Sequence, residues 1–234
     1  MKGKIYLIPT TMGDSSVSSV IPTDVMALIS ELKFFIVENI RTARRYLKKV
    51  DRSIDIDELT FFELNKHTSP NDIASYLEPA KKGNNVGIIS EAGCPGVADP
   101  GADVVKIAHE KQIQVVPLVG PSSILMSLMA SGMNGQNFAF VGYIPIKGGE
   151  RIRAIKDLEA RSRREQQTQI FIEAPYRNTQ MLGDLLKSCA ATTRICVACD
   201  ISLENEFIKT KTVAQWQKQL PNIQKRPTIF LLQA

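Results

Sequence analysis

The chain has 234 residues, of which 44% are hydrophobic and 23% are charged. This composition is typical of a globular protein and excludes a disordered or fibrous chain. The formal net charge of +5 permits an acidic partner such as RNA but does not demand one.

Export and membrane insertion are not expected. The amino terminus has only a short apolar run, Ile5–Pro9, before polar residues follow, which is unlike a signal peptide. No stretch approaches the ~18–20 apolar residues needed to cross a bilayer. We therefore expect a soluble, cytoplasmic protein.

Strand and helix patterns alternate along the first half of the chain. Short apolar runs predict strands at Lys4–Ile8, Phe34–Val37, Thr60–Leu64, Val86–Ser90 and Gln114–Leu118. Helical spacing predicts helices at Thr23–Leu32, Arg41–Lys49, Pro70–Lys82 and Gly101–Lys111. The best candidate for a domain boundary lies near Leu118–Pro121. We therefore predict two domains, 1–118 and 119–234.

The second half continues the alternation. Its predicted helices are Ser122–Ser131, Glu150–Glu165, Arg177–Ser188 and Val213–Gln219. Its predicted strands are Phe138–Tyr143, Thr168–Ile172, Arg194–Cys199, Glu206–Thr210 and Thr228–Leu232. Such alternation predicts an α/β fold with mixed, mostly parallel sheets covered by helices.

Three loops follow predicted strands and are candidates for ligand binding, because open α/β sheets bind ligands outside the carboxyl ends of their strands. Ser90–Gly101 contains three glycines and two prolines in twelve residues, and glycine lets a ligand approach the backbone closely. Val119–Ser123 opens a helix with two serines, which suits either a carboxylate or ribose, or simple capping. Pro9–Asp14 is the third loop. An ordinary tight connection is the alternative interpretation of Ser90–Gly101.

Two further patterns are compatible with ordinary structural roles. Cys196 and Cys199 form a C-x-x-C, but their segment has the pattern of a buried strand, so we expect no metal site. Between Lys147 and Arg164 the chain has seven basic and three acidic residues. That run predicts either a solvated helix face or a contact with RNA phosphates.

The G-x-G-x-x-G and G-x-x-x-x-G-K-[ST] patterns are absent, which argues against the common dinucleotide fold and against ATP or GTP hydrolysis.

A series of motifs carries a resemblance to a known family. Glu38–Arg41 stands where that family has E-D-T-R, Glu63–Asn65 lies in its H-E-H-N-E region, and Ser90–Gly101 matches S-D-A-G-T-P-G-I-S-D-P-G. Val116–Ser122 matches V-P-I-P-G-P-S, and Phe171–Arg177 matches F-Y-E-S-P-H-R. The chain resembles the tetrapyrrole methylase superfamily and, within it, the ribosomal RNA small subunit methyltransferase I group, which methylates the 2′-oxygen of cytidine.

This resemblance implies two α/β domains, a homodimer, and S-adenosylmethionine as methyl donor in the interdomain cleft. The donor contacts that it implies in the first half are Pro9, Ala92, Gly93, Cys94, Gly96, Val97, Ser122 and Ser123. From the second domain, the pocket would be closed by Glu173, Ala174, Pro227 and Thr228.

The acceptor side is assigned by the same resemblance. Methyl transfer is an in-line displacement, and a weakly nucleophilic ribose hydroxyl benefits from a nearby base. The candidate catalytic residues are Glu38, Arg41, Glu63 and Asn65, and the candidate acceptor contacts are Tyr176 and Arg177. Glu38 and Arg41 could instead pair at a helix start, or Arg41 could hold a phosphate.

The chain departs from the family at several polar positions, and we expect it to lack the carboxyl-terminal extension typical of the RNA group. Asn39 and Ile40 replace the D and T of E-D-T-R, and Ala174 replaces the S of F-Y-E-S-P-H-R. Three hypotheses therefore stand: a ribosomal RNA 2′-O-methyltransferase, a methylase of a small acceptor such as a tetrapyrrole, and a donor-binding protein without catalysis.

Overall fold

The computed structural model describes residues 1–64 and 68–234. The chain divides into two compact units, Met1–Ser122 and Ser123–Ala234. The predicted α/β fold is confirmed in both units, while the roles assigned to the two domains stay predictions.

The sheet of the first unit is parallel throughout. Among the described residues its strands are β1 (Lys4–Ile8), β2 (Phe34–Val37), β3 (Thr60–Glu63), β4 (Val86–Ile89) and β5 (Gln114–Pro117). Their order is β3-β2-β4-β1-β5, and every neighbouring pair is parallel. The carboxyl ends of all these strands therefore meet at one edge, which is where the predicted ligand loops begin.

Helices cover both faces of this sheet. They are α1 (Thr23–Glu31), α2 (Ile40–Val50), α3 (Pro70–Tyr76), α4 (Glu78–Lys81) and α5 (Gly101–Glu110). One apolar cluster includes residues of α1 and α2, and a second includes residues of α3, α4 and α5. The single helix predicted over Pro70–Lys82 is interrupted at Leu77, because Pro79 has no amide hydrogen to continue it.

The second unit contains a mixed sheet. Among the described residues its strands are β6 (Phe138–Tyr143), β7 (Thr168–Ile172), β8 (Arg194–Cys199), β9 (Phe207–Thr212) and β10 (Thr228–Gln233), in the order β6-β7-β10-β8-β9. Only β6 and β7 pair in parallel, so the parallel character of the fold resides mainly in the first sheet. Its helices are α6 (Ser123–Ser131), α7 (Gly148–Glu165), α8 (Asn178–Ser188) and α9 (Val213–Trp216).

The cysteines at 196 and 199 lie in a buried strand, as predicted. Both belong to β8 and are buried, and burial raises the pKa of each thiol. Residues three apart on a strand point to opposite faces, so the two sulfur atoms do not converge. Of the helices in the described ranges, none is both long and apolar enough to cross a membrane.

Candidate active site

Direct contacts join the three predicted ligand loops at the carboxyl edge of the first sheet. The amide of Thr10, just after β1, donates to the Gly93 carbonyl at 2.9 Å. The Cys94 thiol donates to the Pro121 carbonyl at 3.3 Å. The structure therefore brings the loops after β1, β4 and β5 together, as expected from the parallel strand order.

The loop after β4, Ser90–Gly101, is shaped by an internal carboxylate. Asp99 accepts hydrogen bonds from the Gly96 amide at 2.8 and 3.0 Å and from the Gly101 amide at 2.7 Å. Burial raises the pKa of Asp99, and these amide bonds oppose the rise. Gly93 and Gly96 have φ values of 70° and 80°, a region that favours glycine. The loop is therefore a braced turn rather than a loose connection.

The backbone of the loop after β5 packs against the ring of Pro9 in the loop after β1. A Cβ on Gly120 would lie 2.2 Å from ring carbons of Pro9, so only glycine fits there without a shift. Pro9 is buried, and its carbonyl accepts a hydrogen bond from the Tyr46 hydroxyl at 2.7 Å. Burial raises the pKa of Tyr46, which keeps this donor protonated.

The other predicted donor contacts of this half are more open. Ala92 and Val97 are exposed on the loop after β4. Ser122 ends the first unit, and Ser123 begins α6 in the second. Their assignment to donor binding stays a prediction.

A pocket of about 290 Å³ opens between α2 and the loops after β1 and β4. We call it the α2 pocket. Its polar lining includes Thr10, Asn39, Thr42, Arg45, Lys49 and Glu91. The hydroxyl of Ser90, in the same lining, is buried and has no hydrogen-bond partner among the described residues. A buried unpaired hydroxyl is costly, which is typical of a site that awaits a ligand or water.

Glu38, the first predicted catalytic residue, directly follows β2 and is half-buried. Its Oε1 accepts a hydrogen bond from the Glu91 amide at 3.2 Å. Burial raises the pKa of the Glu38 carboxyl, this amide bond opposes the rise, and the carboxylates of Asp99 and Glu91 add to it. Glu38 is therefore a stronger base than an exposed glutamate.

The other predicted catalytic residues are less constrained. Within the described part of the chain Glu38 and Arg41 form no ion pair, so the alternative that they pair at a helix start is wrong. Asn39 caps α2 instead, because its Oδ1 accepts from the amides of Arg41 at 2.9 Å and Thr42 at 3.2 Å. Glu63 ends β3 and is exposed. Asn65 lies outside the described residues.

In the second unit, Glu173 follows β7 and is almost fully buried. Its Oε1 accepts from the Ala174 amide at 2.7 Å and from Arg177 at 2.6 and 2.9 Å. Its Oε2 lies 3.5 Å from Nη2 of Arg151, an ion pair without a hydrogen bond. The Oε1 atom of Glu173 therefore already accepts three hydrogen bonds from the protein.

Arg151, which sequence reasoning missed, is completely buried in α7. It donates to the carbonyls of Pro145 at 3.0 Å and Ile146 at 2.9 Å, and to Asp184 at 3.1 Å. The basic run Lys147–Arg164 is therefore not a uniformly solvated face. The sequence holds a signal for this, because Arg151 shares a helical stripe with the buried residues Ile155, Leu158 and Ser162.

The remaining predicted residues lie near the edge of the second sheet where β7 ends and β10 begins. Tyr176 is 61% exposed, and the guanidinium of Arg177 lies 4.7 Å from the centre of its ring. Both belong to a short turn of 3₁₀ helix, so α8 begins one residue later than predicted. Pro227 is exposed, whereas the hydroxyl of buried Thr228 donates to the Arg226 carbonyl at 2.9 Å.

Comparison with known proteins identifies the class of this site. Residues 12–217 match the model of the tetrapyrrole (corrin/porphyrin) methylases. The chain belongs to this methylase family. The predicted resemblance and the prediction of a methyltransferase are thereby confirmed.

Several similar curated proteins share one name. A "Ribosomal RNA small subunit methyltransferase I" of Escherichia coli O157:H7 is 25% identical over 99% of this chain and 78% of its own length. A protein of that name from Streptococcus pyogenes serotype M6 is 32% identical over 79% of this chain and 60% of its own length. The chain therefore spans roughly three fifths to four fifths of these relatives.

Solved structures of methylases share the fold. The methyltransferase CobJ aligns with a TM-score of 0.65 and 15% identity over 99% of this chain and 94% of its own. Uroporphyrin III C-methyltransferase from Thermus thermophilus aligns with a TM-score of 0.56 and 16% identity over 99% of this chain and 97% of its own. At these identities the likeness supports the fold alone.

Proposed function

We propose that this methylase transfers a methyl group from S-adenosylmethionine to the 2′-oxygen of a cytidine in small-subunit ribosomal RNA. The observation that carries the proposal is the braced edge of the first sheet. There, the contacts Thr10–Gly93 and Cys94–Pro121 hold three loops beside a polar pocket. The names of the curated relatives favour ribosomal RNA as the acceptor.

The residues present fit the proposed donor. A Cβ on Gly96 would meet no described atom within 4 Å, so there is open space beside the main chain of this loop, and the Ser90 hydroxyl lacks a partner among the described residues. When bound, the donor supplies an electrophilic methyl group on a sulfonium. The proposed contacts are Pro9, Ala92, Gly93, Cys94, Gly96, Val97, Ser122, Ser123, Glu173, Ala174, Pro227 and Thr228.

On the acceptor side, Glu38 is the proposed base. Its carboxylate would accept the proton of the ribose 2′-hydroxyl as that oxygen takes up the methyl group supplied by the donor. The raised pKa of that group favours accepting the proton. Arg41, Glu63 and Asn65 are proposed as further acceptor-side groups, and exposed Tyr176 with Arg177 as a stacking contact for a base.

We also propose that the enzyme works as a homodimer in the cytoplasm. Its acceptor would be the small ribosomal subunit or its RNA. The homodimer follows from the family resemblance and is tested by measuring the mass of the protein in solution. The cytoplasmic location and the partner follow from the proposed acceptor and are tested by co-fractionation of the protein with ribosomal subunits.

The decisive experiment is transfer of labelled methyl groups to small ribosomal subunits from cells that lack this gene. Titration calorimetry first measures donor binding. Nuclease digestion of the labelled RNA should then release 2′-O-methylcytidine. Label on an added porphyrinoid but not on RNA would refute the RNA proposal in favour of a small acceptor. Donor binding without any transfer would leave a binding protein.

A matched pair of variants tests the base. Glu38→Gln should lower transfer strongly while donor affinity stays within about two-fold, because the amide keeps the shape but cannot accept the proton. Glu110→Gln, on the exposed end of α5, is the control. Unchanged transfer in the Glu38 variant would remove this residue from the mechanism.

A further inference from the structure

Helix α2 carries an unusually one-sided charge. Its sequence, IRTARRYLKKV, contains no acidic residue. The exposed residues Arg41, Arg44, Arg45, Lys48 and Lys49 make up what we call the α2 basic face. Ala43, Tyr46 and Leu47 lie on the opposite face and are buried in the core of the first unit.

Lys48 and Lys49 lie in the last turn, where cations suit the helix dipole, but the cations nearer the start of the helix do not help it. Arg41 lies in the first turn, where the helix dipole favours acidic residues and disfavours cations. Arg41 with Arg45, and Arg44 with Lys48, place like charges four residues apart, which destabilises a helix by a few tenths of a kcal/mol per pair. Local rules broken in this way are a sign of function.

Most of these charges are also available to a ligand. The guanidinium groups of Arg41 and Arg45 make no hydrogen bond or ion pair with any described residue. Arg44 lies 5.4 Å from the centre of the Phe61 ring, which leaves its charge exposed. Lys49 pairs with Asp14 at 2.7 Å, but both side chains face solvent, where such a pair is weak.

The position of this face suggests its partner. Arg45 and Lys49 line the α2 pocket, and so does Glu91, whose amide donates to the proposed base Glu38. We propose that the α2 basic face binds consecutive phosphates of an RNA strand whose nucleotide enters the α2 pocket. The inference rests on the proposed RNA substrate and assigns the surface that holds it.

A membrane surface is the less suitable partner. Amphipathic helices that lie on lipid insert their apolar face between the acyl chains. The apolar face of α2 is already buried in the protein, with Leu47 fully inaccessible and Tyr46 donating to Pro9. Only the cations remain outside, and they suit a phosphate backbone.

Helix α7 offers the natural comparison. It contains six basic residues, one more than α2, but four acidic residues are interspersed and Arg151 is buried. Arg164 pairs with Glu165 at 2.5 Å. Its exposed arginines at 161 and 163 therefore belong to an ordinary mixed surface, which makes them matched controls.

The test is the salt dependence of RNA binding, measured by fluorescence anisotropy with a labelled single-stranded RNA oligonucleotide and the full chain. Each lost phosphate contact reduces the slope of log K against log salt by about 0.7 for a single strand. Arg41→Gln with Arg45→Gln should therefore reduce it by about 1.4. Arg161→Gln with Arg163→Gln should leave it unchanged.

Thermal unfolding separates this role from a structural one. Because the arginines repel their neighbours, the α2 double variant should melt at the same temperature as the wild type or slightly above it. Equal slope losses in the α2 and α7 variants, or none in the α2 variant, would overturn the inference. So would binding to phosphatidylserine vesicles that the α2 variant loses while it keeps the wild-type RNA slope.

The binding assay needs neither donor nor transfer, so the two proposals fail separately. A wild-type chain that methylates no small-subunit RNA refutes the proposed function, even if the slope falls as expected. Conversely, transfer to small subunits with an unchanged KM and an unchanged slope in the α2 variant refutes the inference and leaves the function in place.

Discussion

Replacing Arg151 with methionine should destabilise the second unit severely. The buried guanidinium bonds two carbonyls and Asp184 and lies beside Glu173, and methionine fills similar volume without any of these bonds. Removing one partner from a buried ionic network costs about 3–5 kcal/mol. Glu173 keeps Arg177, which places the expected loss near the lower end of that range.

The assay is thermal unfolding followed by circular dichroism. For a chain of this length, each kcal/mol corresponds to about 2–4 °C, so Arg151→Met should lower the melting temperature by about 10 °C. Arg153→Met, on the exposed side of the same helix, should change it by less than about 2 °C. Adding Asp184→Asn to Arg151→Met should recover part of the loss, because it removes an unpaired carboxylate. A melting temperature for Arg151→Met within about 2 °C of that of Arg153→Met would refute the reasoning.

Three further variants test the first unit. Gly120→Ala should destabilise the fold by about 1–3 kcal/mol in urea unfolding and weaken donor binding, because the new methyl group collides with Pro9; wild-type behaviour on both counts would mean that the two loops are not in contact. Asp99→Ala should weaken donor binding in calorimetry about ten-fold, because it releases the loop after β4. Asp103→Ala, exposed on α5, should leave donor binding unchanged. Equal effects of the two variants would argue against the role of the Asp99 hydrogen bonds in shaping the loop. Glu38→Gln should gain stability relative to the wild type as the pH rises from about 4, because the wild-type carboxyl has a raised pKa and its ionised form is disfavoured in the fold; melting curves that differ by the same amount at every pH would contradict the raised pKa.

Elements with simple periodicity can be predicted from the sequence. The bounds predicted for the strands Thr168–Ile172 and Arg194–Cys199 are the observed ones, because a short apolar run bounded by turn residues is typical of a strand that packs in a core. The three ligand loops are predictable as well, since parallel strands bring their carboxyl ends to one edge. The break at Leu77 was missed, although Pro79 signals it.

Side chains whose partners are distant in sequence cannot be predicted in this way. The helical stripe indicates that Arg151 faces the core, but nothing local identifies its partner Asp184, thirty-three residues away. The contact between Thr42 and Glu91 at 2.6 Å depends equally on the tertiary arrangement. Asn39 is different, because it caps α2 through the nearby amides of Arg41 and Thr42, and an Asn before a helix is a cap signal that the sequence contains.

The brace within the loop after β4 has a consequence for how this family can diverge. The path of the loop is fixed by main-chain amides and carbonyls, by Asp99 and by glycines at 93 and 96. Exposed side chains at other loop positions, such as Val97, take no part in these bonds and can be exchanged without redirecting the chain. A distant sequence can therefore keep the same turn with few identical residues, so a search for new members should weigh those few anchor positions above overall identity.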